Sequence, residues 1–231
     1  MDNNDFHLFL LAGQSNMAGR GIMEPGDEVP VDHILMLTKD LQWVPAAHPV
    51  HYDKPGIAAF GLGLEFAKHY LADHPGVTVG LIPAACGGSS ILHWQEGTYF
   101  PDTDSHPYDD ALIRTNKALE TGTLKGILWH QGEADVFERA EQYEDLVTEL
   151  FARFRKHYGS DLPIITGQLA FAPSCCRVAG TALVDTALEK NGSAFAPADG
   201  LTLNDDITHF DRASLVEFAK RYYKAWKQIE N

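Results

Sequence analysis

Phe6-His7-Leu8-Phe9-Leu10-Leu11-Ala12-Gly13-Gln14-Ser15-Asn16-Met17-Ala18-Gly19-Arg20-Gly21 is the stretch on which the reading of this chain turns. Its first part is apolar almost throughout rather than alternating, the pattern of a strand covered on both faces, as in a parallel sheet. It then passes through small residues to one serine held between two amides. A serine at the carboxyl end of a strand, where a helix begins, can be met by backbone N–H groups and by a helix dipole that favours developing negative charge. Ser15 is therefore a nucleophile candidate, and by the same position it is a residue that caps a helix.

Two later strands end in the same way. Val77-Thr78-Val79-Gly80-Leu81-Ile82 runs into Pro83-Ala84-Ala85-Cys86-Gly87-Gly88-Ser89-Ser90, and Gly126-Ile127-Leu128-Trp129 runs into His130-Gln131-Gly132-Glu133-Ala134-Asp135. Ile34 to Leu37 and Leu162 to Gly167 read as further strands. Helical spacing recurs in Phe60, Leu64, Ala67 and Leu71, in Leu112, Thr115 and Leu119, in Tyr143, Val147, Leu150 and Phe154 of a helix from Glu138 to Tyr158, and in Leu215, Ala219, Tyr222 and Trp226 between Asp211 and Ile229. Residues 41–58 have no period and read as an irregular loop, as does the stretch around Pro173-Ser174-Cys175-Cys176. Strands alternating with helices imply βαβ units, a mostly parallel sheet and helices on both faces. Ligands of such sheets bind at the carboxyl ends of the strands, so the clusters at 13–21, 83–90 and 130–135 gather on one edge. Their convergence favours the nucleophile reading of Ser15.

The totals narrow the function classes. The chain of 231 residues, with 45% hydrophobic and 22% charged residues, fits one globular domain over residues 1–231. Lys and Arg number 18 against 32 Asp and Glu, a formal charge of −14 that opposes nucleic acid and anionic membrane as partners. No apolar run approaches the ~20 residues that span a bilayer, and the acidic start Met1-Asp2-Asn3-Asn4-Asp5 differs from the basic start of a signal peptide. A soluble, cytoplasmic protein is the expectation, or a secreted or periplasmic one if a leader has been removed. Three cysteines make no disulfide framework. Cys175-Cys176 read as reduced thiols, with a strained vicinal disulfide as the lesser alternative, and Cys86 as a small packed residue.

A serine hydroxyl becomes a nucleophile when a base takes its proton, and the base works better when a carboxylate fixes its tautomer. Among the 11 histidines, His209 stands at the edge of the last helix with Asp206 three residues before it. That spacing lets one ring nitrogen meet the carboxylate while the other faces outward. An attacked ester also needs donors for its oxyanion. Gly87 and Gly88 can bring bare backbone close to a ligand, and Gln131 can aim its amide at the same point. Glu133 and Asp135 either orient that amide, bind substrate or complement a helix dipole.

Gly13-Gln14-Ser15-Asn16-Met17-Ala18-Gly19, Gly87-Gly88-Ser89-Ser90-Ile91 with Trp94, His130-Gln131-Gly132-Glu133-Ala134-Asp135 and Asp206-Ile207-Thr208-His209-Phe210, in that order, resemble the sequence blocks of the SGNH hydrolase superfamily. Within it they resemble the carbohydrate acetyl esterases that include acetylxylan esterases and sialate O-acetylesterase-like proteins. The resemblance implies a three-layer α/β/α flavodoxin-like fold in which Ser15 attacks an acetyl ester of a carbohydrate, His209 is the base and Asp206 orients it. It also implies an oxyanion held by the Ser15 and Gly87 N–H groups and the Gln131 amide. Gln14, Asn16, Gly88, Trp94 and Glu133 are then expected to contact substrate or to support residues that do. Gln131 stands where most of the superfamily carries asparagine, although this branch uses the glutamine, and Ala134 stands where many relatives have serine. No cofactor and no metal are expected.

Two rival readings accompany this one. His130, Glu133 and Asp135 can be imagined as metal ligands, without the spacing of a known metal motif. A non-catalytic carbohydrate-binding protein on an esterase scaffold can stack sugars on Trp43, Tyr52, Trp94 and Tyr99. Neutral acetylated sugars are the expected substrates of so acidic a chain, with Arg20 and Arg177 as local exceptions.

Overall fold

A computed structural model describes residues 5–169 and 178–230. Cys175, Cys176 and Arg177 lie outside the described residues. In chain order the elements are β1 (Phe6–Gly13), α1 (Ser15–Ala18), β2 (Ile34–Leu37), β3 (Trp43–Pro45), α2 (Leu62–Asp73), β4 (Thr78–Pro83), α3 (Pro107–Leu119), β5 (Thr123–His130), α4 (Tyr143–Tyr158), β6 (Ile164–Gly167), α5 (Val178–Asn191), β7 (Ala194–Ala196) and α6 (Arg212–Lys227).

The seven strands form one sheet in the order β3-β2-β4-β1-β5-β6-β7, and only the β2–β3 pairing is antiparallel. Setting the β2–β3 hairpin aside, the other five run 2-1-3-4-5, the flavodoxin-like order, whose ligand crevice opens where the winding reverses. Here that point lies between β1 and β5. β1 sits at the centre because both faces of its apolar run find cover. Phe9 and Leu11 pack with Phe66, Tyr70, Phe218, Tyr222 and Trp226 of α2 and α6. Leu8, Leu10 and Ala12 pack on the opposite face with Tyr108 of α3, Phe151 and Phe154 of α4 and Leu188 of α5. Leu8, Phe9, Leu10 and Leu11 have no exposed surface, and truncating one such core leucine to alanine costs about 2–5 kcal/mol.

Three expectations change. The loop at 41–58 contains β3, a three-residue edge strand too short to show a period. α3 buries Tyr108, Ala111 and Ala118 beside the expected Thr115, while Leu112 packs on the core partly buried and Leu119 is exposed. α4 begins at Tyr143, with turns over 138–142, and α5 and β7 follow the undescribed stretch as elements that the apolar pattern did not announce. Among the described residues no helix is long and apolar enough to cross a membrane.

Candidate active site

The site starts with Gly13, the last residue of β1. At φ +127 it adopts a backbone that side chains rarely reach, and a Cβ there would stand 2.0 Å from the His130 carbonyl oxygen. Only glycine lets the end of β1 press this closely on the end of β5. Gln14 N–H then donates to the His130 carbonyl at 2.8 Å. The Gln14 side-chain oxygen accepts from Gln131 Nε2 at 3.2 Å and from the Gly132 and Ala134 N–H groups at 3.4 Å. Gln14, rather than Ser15, occupies the N-cap of α1, so Ser15 is the first helical residue and its hydroxyl caps nothing.

That hydroxyl meets the last loop of the chain. Ser15 Oγ lies 2.9 Å from His209 Nε2, and His209 Nδ1 lies 2.7 Å from Asp206 Oδ2. The other Asp206 oxygen accepts the Thr208 and His209 N–H groups, each at 2.9 Å. The loop is closed by the Asn204 N–H to the His209 carbonyl and by the Ile207 N–H to the Asn204 carbonyl, with Ile207 at a positive φ of 55. Partial burial pushes the Asp206 carboxyl up, but the His209 ring and the two backbone donors outweigh it and hold the group below the usual carboxylate range. Ser15 Oγ, His209 and Asp206 thus form a chain in which a proton can pass from hydroxyl to ring, with a carboxylate that fixes the ring's orientation.

Asn16 fastens this loop to the sheet. Its Oδ1 accepts the Phe210 N–H at 3.0 Å, and its Nδ2 donates to the Thr208 carbonyl at 3.2 Å and to Glu133 Oε1 at 2.6 Å. One side chain therefore grips the backbone on both sides of His209. Glu133 in turn lies 3.1 Å from His130 Nε2, whose Nδ1 is 3.2 Å from the Tyr222 hydroxyl, which donates to the Trp129 carbonyl. Burial pushes the Glu133 carboxyl up, and His130 and the Asn16 amide more than offset it, leaving it below its ordinary value.

The expected oxyanion donors have other partners. Gly87 N–H donates to Asp53 Oδ2 at 2.9 Å, and the same oxygen takes Arg20 Nη2 at 2.7 Å. Gln131, fully buried, donates to Asp135 Oδ2 at 2.6 Å and to the Ser89 carbonyl at 3.1 Å, while Tyr143 donates to its Oε1 at 2.9 Å. Asp135 also takes the Ile91 N–H at 2.9 Å and Arg139 Nε at 2.8 Å. Gln131 and Asp135 are thereby the tie between the β5 end and the 87–91 turn, where Gly88 has φ +90. The Ser15 N–H, at the first position of α1, makes no hydrogen bond among the described residues and has no intrahelical partner by its position.

Other expectations are corrected by packing. Trp94 has no exposed surface, stacks edge-on against Trp129 at 4.9 Å and donates to Ser89 Oγ at 3.1 Å, so it braces the turn and offers no face to a sugar. Trp43 anchors the sheet edge against Phe6, and Tyr52 lies under Arg114, which leaves Tyr99, about half exposed, as the one exposed ring of that set. Cys86 is buried, and burial pushes its thiol up to about 11, which keeps it protonated. Among the described residues no three His, Cys, Asp or Glu side chains are placed to hold a metal ion. The sequence reading missed Asp53 because it lies in the aperiodic loop, and only the fold brings it onto Arg20 and Gly87.

Residues 5–228 match the family described as carbohydrate esterase, sialic acid-specific acetylesterase. A protein of Arabidopsis thaliana named "Probable carbohydrate esterase" is 31% identical over 242 residues, covering 95% of this chain and 89% of that one. Among solved structures, an Arabidopsis thaliana protein superposes with a TM-score of 0.83 at 28% identity, covering 96% of this chain and 98% of that chain. NanS superposes with a TM-score of 0.76 at 19% identity, covering 99% of this chain and 98% of that chain, a likeness of fold. By this match, which its sheet order and its Ser15–His209–Asp206 arrangement accompany, the chain belongs to the carbohydrate esterase, sialic acid-specific acetylesterase family and is a carboxylic ester hydrolase.

Proposed function

We propose that the protein removes O-acetyl groups from neutral carbohydrates through an acetyl-enzyme on Ser15. The observation that carries this reading is the hydrogen-bonded chain from Ser15 Oγ through His209 to Asp206. His209 Nε2 takes the hydroxyl proton as Oγ attacks the acetyl carbonyl, and the tetrahedral oxyanion forms beside the Ser15 N–H at the start of α1. His209 then returns the proton to the departing sugar oxygen, leaving an acetyl ester on Ser15. Water attacks that ester with His209 again as base, acetate leaves and Ser15 regains its proton. Gly87 N–H is held by Asp53 Oδ2 at 2.9 Å and Gln131 by Asp135, so both hold the neighbouring turn in place.

The preference for neutral sugars rests on Arg20. Its Nη2 is paired with Asp53 at 2.7 Å and its Nη1 donates to the Gly19 carbonyl at 2.8 Å, so it brings no uncommitted positive charge to a substrate carboxylate. The formal charge of −14 adds general repulsion toward anionic sugars. The direct test measures acetate release from acetylated xylan, acetylated glucose and O-acetylated sialic acid by the wild type and by Ser15→Ala. Activity on the neutral esters that disappears in the variant is expected. Equal rates in both proteins overturn the mechanism, and faster release from the sialic acid ester overturns the substrate class.

A further inference from the structure

Asn16 is not the sole tie on the loop that carries Asp206 and His209. Asn204 Nδ2 donates to the Arg20 carbonyl at 3.0 Å, and the Asn204 N–H donates to the His209 carbonyl at 2.8 Å. The Arg20 backbone is in turn fixed by its own side chain, because Nη1 turns back onto the Gly19 carbonyl at 2.8 Å. Gly19 closes α1, its N–H donating to the Ser15 carbonyl at 2.9 Å. Residues 19 and 20 thus join the helix of the nucleophile to the loop of the base.

The Arg20 guanidinium also reaches a third segment. Nη2 lies 2.7 Å from Asp53 Oδ2, and that oxygen accepts the Gly87 N–H at 2.9 Å. The pair packs directly on the glycine, since a Cβ at Gly87 would stand 2.3 Å from Arg20 Nη2 and 2.7 Å from Asp53 Oδ2. The Gly87 turn is itself bound to the end of β1, where the Cys86 N–H donates to the Gly13 carbonyl at 2.9 Å. Asp53 also borders a cavity of about 330 Å³ bounded by the end of β4, the 103–105 loop and α3. Burial pushes the Asp53 carboxyl up, and Arg20 more than offsets it, holding the group below its ordinary value. The two side chains are 7% and 1% exposed, so Arg20 is spent on the protein itself. A buried ion pair adds little stability over apolar side chains of its own size, whereas its geometry is exacting. We propose that Arg20 is a positioning residue for the reaction at Ser15: through Asp53, Gly19 and Asn204 it keeps the Gly87 turn, α1 and the His209 loop in the register that the 2.9 Å contact of Ser15 Oγ with His209 Nε2 requires. The proposal rests on the Ser15 mechanism above and is independent of which sugar is the substrate. Such a contact tolerates little displacement, a misplacement of ~1 Å costing about 100-fold in rate.

The test separates position from stability. Arg20→Met/Asp53→Asn leaves no buried charge and keeps an acceptor oxygen for the Gly87 N–H. In folded protein, the rate at which a fluorophosphonate labels Ser15, read by intact mass, is expected to fall about 10- to 100-fold, and kcat for acetylated xylose with it, while KM changes by less than about twofold. Arg20→Lys, which can pair with Asp53 but cannot also hold the Gly19 carbonyl, should recover part of that loss. Asn204→Ala, which removes the side-chain tie to the Arg20 carbonyl, is the second variant and should lower both rates at least about threefold. Leu150→Ala in α4 is the stability control: its core cavity should lower the urea midpoint and leave the labelling rate unchanged. Wild-type labelling in the double variant overturns the proposal, as does an equal loss in Leu150→Ala. A loss confined to KM, or to the O-acetylated sialic acid ester, makes Arg20 a substrate ligand and overturns it too. Wild type that is labelled at Ser15 yet releases no acetate from any sugar ester removes the substrate reading and leaves the labelling rates to decide the role of Arg20. Wild type that is not labelled removes the Ser15 mechanism and the proposal with it.

Discussion

The two sides of the Gly87 turn are built differently. On the Ser15 side, Asn16 uses both its oxygen and its nitrogen and Asp206 uses both its oxygens, while Glu133 Oε2 is a buried side-chain atom left without a partner. On the cavity side, His51 and Asp53 each leave one buried atom unpaired. A network completed by the protein fixes its geometry before substrate arrives, which is what a proton-transferring site needs. The Asp53 carboxylate joins the two sides, holding the Gly87 N–H and Arg20 Nη2 with one oxygen.

The contrast can be broken most severely at Ser15. Ser15→Ala should lower kcat for acetate release at least about 1,000-fold with no loss of thermal stability, measured by steady-state kinetics and calorimetry. Asp206→Asn should lower kcat about 100- to 10,000-fold, because the amide no longer holds the His209 ring in the tautomer that faces Ser15. Asn16→Ala attacks the completed network without touching the reacting atoms. It should lower kcat about 10- to 100-fold while KM changes little, since His209 loses its grip on both sides. The same variant should cost about 2–3 kcal/mol in urea unfolding, as the Phe210 N–H and Glu133 Oε1 lose partners.

Two smaller effects sharpen the contrast. Arg212 at the start of α6 lies over the Phe60 ring and donates to both Asp27 oxygens, from Nη2 to Oδ1 at 2.7 Å. The Arg212 hydrogen bonds hold the Asp27 carboxyl at about 2, against the opposing effect of burial and with help from the Glu24 N–H. A carboxyl lowered on folding stabilises the folded state above its unfolded pKa of about 4 and loses that contribution as pH falls through its folded value. Asp27→Asn should therefore cost up to about 1 kcal/mol near neutral pH, with the difference from wild type closing between about pH 4 and 2 in acid unfolding curves. At the 51–53 loop, His51→Leu should shift stability by about 1 kcal/mol or less, because it removes one acceptor that was already unpaired and the Leu11 carbonyl that loses the ring N–H keeps the Ala84 N–H. A cost as large as that of Asn16→Ala would show that His51 belongs to a completed network after all.

The stretch Phe6 to Gly21 specified its own strand, its turn and the position of Ser15, because a doubly covered strand needs apolar side chains on both faces and a close crossing needs Gly13. The long amphipathic helices were legible for the same reason: burial imposes a period on neighbouring residues. The pairing of Asp206 with His209 was legible too, since three residues in one turn fix their distance. What had no local signature came from the fold. Trp94, expected to contact substrate or to support residues that do, takes the supporting role through its packing on Trp129, and the Gly87 and Gln131 donors are met by Asp53 and Asp135. Asp53 lies in a loop without period, and α5 and β7 were too weakly patterned to announce themselves. Sequence determined which groups are present and how the chain winds, because those follow from neighbours along the backbone. Which hydrogen bonds each polar group spends, and therefore which donors and acceptors remain for a ligand, was decided by contacts between residues far apart in the chain.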